Sequence, residues 1–163
     1  MDIITGDDAS SLVGDKDLAL NADVRLYYTA IAHRDQWRAF PPGSDYVRNY
    51  DAFAKAFADN GLPAADLDDG QAMSEHDAVL TAAVAIRKAK DVTTVNTIAP
   101  FVMQQQCKNP VGGATGYIAF PNTGGGDPVD KAMPIMQIRP DGSATQEDLV
   151  WPAGKPLDPD TTC

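Results

Sequence analysis

Gly113-Ala-Thr-Gly-Tyr-Ile-Ala-Phe120 runs into Pro121-Asn-Thr-Gly-Gly-Gly-Asp-Pro128 and then, after Val129-Asp-Lys-Ala132, into Met133-Pro-Ile-Met-Gln-Ile138. Tyr117 to Phe120 is a short aromatic and β-branched run, and Met133 to Ile138 is a second apolar run. The residues between them break strands and accept positive φ, so the spacing predicts a β-hairpin that pairs the two runs. Gly124-Gly-Gly126 belongs to that turn. It lacks the lysine and following helix of a phosphate-binding loop.

Upstream, Ile3-Ile4 reads as a buried strand end entering the polar loop Thr5 to Ser11, and Val24 to Thr29 alternates as a second strand. One of Tyr27 and Tyr28 is expected to face the core and the other a cleft; alternation alone leaves the choice open. Asp45 to Asn60 puts Tyr46, Val47, Tyr50, Phe53, Ala54 and Phe57 at helical spacing, and Gly61-Leu-Pro63 ends the helix. Ser74-Glu-His-Asp77 has the pattern of a capping box opening a helix to about Lys90, with Val79, Ala82, Ala83 and Ile86 as its apolar stripe. Thr97 to Gln106 is expected as a short helix with Pro100 in its first turn. Leu149-Val-Trp151 is the strand expected near the end. Strands alternating with helices over this length predict an α/β fold of layered sheet and helices.

The chain has 163 residues, enough for one core. Thirteen Lys and Arg against 23 Asp and Glu give a formal charge of −10. That balance argues against a nucleic-acid partner, because phosphates need a basic surface, and against electrostatic attachment to anionic lipid. No apolar run is long enough to span a bilayer, so direct membrane insertion is not expected. The two cysteines, Cys107 and Cys163, are too few for a zinc site. They fit either one disulfide tying down the Pro-rich tail or two free thiols.

The chain has two histidines, His33 and His76, and no G-x-S-x-G elbow that would raise Ser44 or Ser74 as a nucleophile. His76 and Asp77 are sequence neighbours, which on a helix do not face each other. Neither a catalytic residue nor a cofactor or metal is expected, and the chain reads as a non-enzyme. Asp7 and Asp8 lie in an acidic loop where each fits an Asx turn or helix cap.

The G-x-T-G-x-I-x-F run with its Gly-Asp-Pro turn and second strand resembles the distal hairpin of type I periplasmic solute-binding proteins, the Leu/Ile/Val-type receptors of ABC transporters. Gly6-Asp-Asp8, Val24 to Thr29, Tyr46 to Phe57, His76-Asp-Ala-Val79 and Gly113 to Ile138 follow in that family's order. The resemblance covers roughly residues 1 to 150, and about the second half of such a receptor. His76 stands where an aromatic is common, and Pro121 replaces a usual acidic residue. The resemblance implies a periplasmic-binding-protein type I fold. Residues 1–29 would be the distal part of the second lobe, 30–138 part of the first lobe with the hairpin, and 139–163 a return strand and tail.

The resemblance further implies a ligand-binding portion of an uptake system for an amino acid or similar small polar molecule. Its protein partner would be the membrane permease of an ABC transporter. Asp8, with Asp7 beside it, would meet a ligand ammonium. Tyr28 is a candidate wall of the cleft between lobes, and Gln71 would make the ligand more polar than leucine. The alternative is a sensor or interaction domain that keeps the fold without transporting solute. The location expected is extracytoplasmic for a fragment of an exported parent, and cytoplasmic for a chain complete as given.

Overall fold

Two strands, Asp2–Thr5 (β1) and Arg25–Thr29 (β2), pair in parallel with Ile3 opposite Leu26 and Thr5 opposite Tyr28. The computed structural model describes residues 1–15, 23–121 and 126–158. Alternation along β2 buries Leu26 and Tyr28 and leaves Tyr27 and Thr29 half-buried, so Tyr28, nominated for a cleft wall, packs in the core and only borders a cleft. Their apolar partners are Met136, Ile138 and, from the 3-10 helix Asp7–Leu12, Ala9. The expectation of a buried β1 is corrected. The strand is the edge of its sheet, and Ile4 is 75% exposed.

Asp45–Asp59 (α1) forms as its spacing predicts, capped by Ser44, whose hydroxyl accepts from the Val47 amide. Tyr46 and Phe53 are buried, and Tyr50, Ala54 and Phe57 pack partly buried behind them. The next helix, Gln71–Lys88 (α2), starts three residues before Ser74, at an N-cap Gly70. Asp77 therefore lies in its second turn, away from any capping box. Its buried stripe is Met73, Asp77, Thr81 and Ala85, four residues apart, while Val79 and Ile86 face outward at 70% and 44% exposure. The stripe expected from Val79, Ala82, Ala83 and Ile86 is corrected. Alanine-rich periodicity left two faces of similar hydrophobicity, and hydrogen bonds to Asp77 select between them. Val95–Val102 (α3) carries Pro100 as its sixth residue, two positions before its end.

Val111–Gly113 (β3) and Gly116–Ile118 (β4) make a two-residue hairpin around Ala114-Thr115. Met133–Ile138 (β5) instead lies between β2 and Ala144–Val150 (β6), antiparallel to both, so the larger sheet has the order β1-β2-β5-β6. The expected pairing of 117–120 with 133–138 is thus corrected. Gly113 and Gly116 close a shorter turn of their own, Gly116 at φ +97°. β5, with Pro134, Met136, Gln137 and Ile138 buried, takes a central position in which both its edges are paired. The ladder between β5 and β6 shifts register at Ile135/Met136, leaving Glu147 as an extra residue.

The large sheet draws strands from all three expected segments, 1–29, 30–138 and 139–163. α1 and α2 pack on the small sheet, and Trp37, Tyr46 and Ala132 with Phe40, Leu149 and Trp151 pack between α1 and the β5–β6 pair. The architecture is mixed helix and sheet, as the α/β expectation has it. Among the described residues no helix is long and apolar enough to cross a membrane.

Candidate functional site

Gly70 fixes the geometry of a polar cleft. It has φ +73°, and a Cβ there would fall 2.5 Å from the Ala32 carbonyl oxygen. The start of α2 is thereby pressed against the chain leaving β2. Asp68, Asp69 and Gln71 on one side then face Tyr28, Ala30 and Ile31 on the other, and Asp7, Ser10 and Ser11 of the first 3-10 helix close the third side. The enclosed volume is about 350 Å³, at the lower end of small-molecule sites. A second chamber of about 300 Å³ shares Ser10, Tyr28, Asp68 and Asp69 with it and reaches His33 and Asp66.

Polar groups of the cleft are held by one another and by Glu75 and Arg34. The Gln71 amide donates to Asp69 Oδ1 at 2.9 Å, and Gln71 Nε2 donates to Glu75 Oε1 at 2.8 Å. Arg34 Nε lies 2.8 Å from Asp68 Oδ1. That buried oxygen nonetheless meets no donor along a hydrogen-bond direction, so the contact is an ion pair only. His33 is 5% exposed, and its Nδ1 accepts from the Asp35 amide at 3.2 Å. Burial pushes the His33 imidazole below its ordinary pKa, against the upward pull of Asp35 and Asp68. Burial also raises the Tyr28 phenol, and the Asp68 charge adds to this.

Three of the residues nominated from sequence, Asp7, Tyr28 and Gln71, therefore line one cleft. Asp8 belongs by its backbone to the same 3-10 helix, and its side chain lies outside the described residues. Cys107 is buried and is held in a disulfide. Cys163, the partner named for it, lies outside the described residues. Sequence reasoning passed over Ser10, Asp68, Asp69 and His33. The run Asp66-Leu-Asp-Asp69 before a glycine was the available signal, but no local pattern says that it folds back onto β2.

A second polar cluster is built around Asp77, and its groups are all engaged. Asp77 Oδ1 accepts from the Ala114 amide at 2.7 Å, and Oδ2 from the Thr115 amide at 2.9 Å and the Thr115 hydroxyl at 2.6 Å. Trp37 Nε1 donates to the Ala114 carbonyl at 2.9 Å, and Lys131 Nζ to the Thr115 carbonyl at 3.0 Å. A Cβ on Gly113 would sit 2.4 Å from the carboxylate, so only glycine admits this approach. The cluster satisfies a buried turn from three other parts of the chain. His76, expected to point away from Asp77, has its Nδ1 2.9 Å from Asp77 Oδ1 and its ring against Phe53. Beside the cluster lies a largely apolar cavity of about 470 Å³, bounded by Ala78, Val102, Ile118 and Phe120. Among the described residues no three His, Cys, Asp or Glu side chains converge as a metal site. In comparisons with known proteins, no family model and no curated protein matches this chain.

Proposed function

We propose that the chain is the distal, ligand-binding portion of a type I solute-binding protein serving an ABC-type uptake system, with an amino acid or similar small polar molecule as its ligand. The observation that supports this reading is that Asp7, Tyr28 and Gln71, named as candidates from the sequence, line one polar cleft. In this reading the fold is the type I periplasmic-binding-protein fold, the location is extracytoplasmic, and a membrane permease receives the loaded receptor. The Asp7-Asp8 pair supplies the group for a ligand ammonium, since a carboxylate in a partly dry cleft holds a cation better than one in water. An opposing lobe supplies hydroxyls and amides for the ligand's carboxylate and closes by a hinge.

Calorimetric titration tests this. The 163-residue chain binds free amino acids weakly at best, because one lobe leaves the ligand carboxylate unpaired at a cost of several kcal/mol. A form extended by the opposing lobe binds tightly, and Asp8→Ala in it loses at least about tenfold, the weight of one charge-assisted hydrogen bond. Equal affinity of the two forms would remove the need for a second lobe. An unaffected Asp8→Ala variant would remove that residue from the site.

A further inference from the structure

The apolar cavity beside the Asp77 cluster, about 470 Å³, shares no lining residue with the polar cleft. Ile118 and Phe120 are its buried walls, Val102 is half-buried, and Ala78 and Ala82 of α2 form an exposed rim. A space of this size and character suits a small organic molecule. Into this apolar surface Asp77, Thr115 and Lys131 bring their polar groups together.

Among the described residues that line the cavity, Lys131 is the only cation. Its Nζ donates to the Thr115 carbonyl at 3.0 Å and to the Thr115 hydroxyl, which in turn donates to Asp77 Oδ2 at 2.6 Å. A neutral amine has two N–H groups, so these two bonds leave its lone pair uncommitted. Burial draws the ammonium down to about 8 from 10.5, against the upward pull of Asp77. At pH 7 about a tenth of such an amine is neutral, roughly three hundred times the share in an unperturbed lysine. The Asp77 charge on the same wall repels an anion, which turns the site away from a carboxylate ligand and toward a neutral electrophile.

We infer that Lys131 is a nucleophilic amine that takes a small apolar aldehyde from this cavity as a reversible imine. The inference goes beyond the solute-receptor reading and does not depend on it. The Nζ lone pair forms the bond to the carbonyl carbon, and the carbonyl π pair moves onto oxygen. The resulting carbinolamine loses that oxygen as one water, which carries away both hydrogens of the amine. Nothing is oxidised or reduced, so no redox partner is needed. In its protonated form the imine keeps one N–H for Thr115, within reach of the Asp77 charge.

The test treats the 163-residue chain with benzaldehyde and sodium cyanoborohydride at pH 7, which reduces any imine to a stable benzylamine, and locates the labelled lysines by peptide mass spectrometry. Lys131 is expected to label at least about tenfold faster than Lys55, whose side chain is 74% exposed on α1. Ala82→Phe adds an aromatic ring at the exposed rim, and it is expected to slow the labelling of Lys131 about tenfold while leaving Lys55 unchanged. Labelling that spreads evenly over the lysines, or that spares Lys131, would overturn the inference and leave the solute-receptor reading standing. A Lys131 rate unmoved by Ala82→Phe would overturn the assignment to this cavity.

Discussion

The Asp77 carboxylate accepts three hydrogen bonds from Ala114 and Thr115, so its removal strands two amides and a hydroxyl in the interior. Asp77→Ala is expected to cost about 3–5 kcal/mol, as breaking a buried charged network does, read as a lowered midpoint in urea denaturation. Asp77→Asn, which keeps an acceptor, costs less. Lys131, tied to the same turn, gives the pH dependence. Burial pulls its ammonium down to about 8 from 10.5. Between those values the unfolded chain binds the proton that the folded chain has lost, so stability rises with pH from about 8 toward 10. Urea midpoints at intervals across that window are expected to climb in the parent protein and stay flat in Lys131→Met. The sequence presented Asp77 as the last member of a capping box, and nothing in its neighbours tells that reading from the buried one. The difference lies in Ala114 and Thr115, more than thirty residues away.

At the scale of elements, α1 was legible because its six apolar positions follow one face and its cap and terminating glycine are local. α2 was legible as a helix and misread as to its face: Val79 and Ile86 are its exposed apolar residues, while Asp77 and Thr81 are inside. Strand β5 was found and its partner was not. Pairing depends on which distant strands meet its two edges, and the run itself does not carry that information. The junction between the second 3-10 helix, Ala64–Leu67, and α2 turns on Gly70. Gly70→Ala adds a left-handed backbone cost of about 1–2 kcal/mol to a clash with the Ala32 backbone, so a loss above about 2 kcal/mol is expected by urea denaturation. A variant as stable as the parent would show that the two segments are not pressed together.

For the whole molecule, the tail is joined to the body where Tyr46 Oη donates to the Leu157 carbonyl at 2.9 Å and Leu157 packs with Cys107 and Ala119. A Cys107–Cys163 bridge would close a loop of about 55 residues and add on the order of 4 kcal/mol through the unfolded state. Non-reducing peptide mapping is expected to recover that pair, and reduction to lower the urea midpoint. A midpoint indifferent to reductant would show that the bridge contributes nothing. The sequence by itself determined the mixed helix-and-sheet class, the position of α1 and the strands β1, β2, β4 and β5, because period and caps act over a few residues; β3 and most of β6 were not read from it. The tertiary structure alone decided which strands pair, which face of α2 is buried, and that Asp68 and Asp69 join Asp7 and Tyr28 in one cleft. Those outcomes depend on close approaches and hydrogen bonds between residues tens of positions apart, whose energies no local pattern encodes.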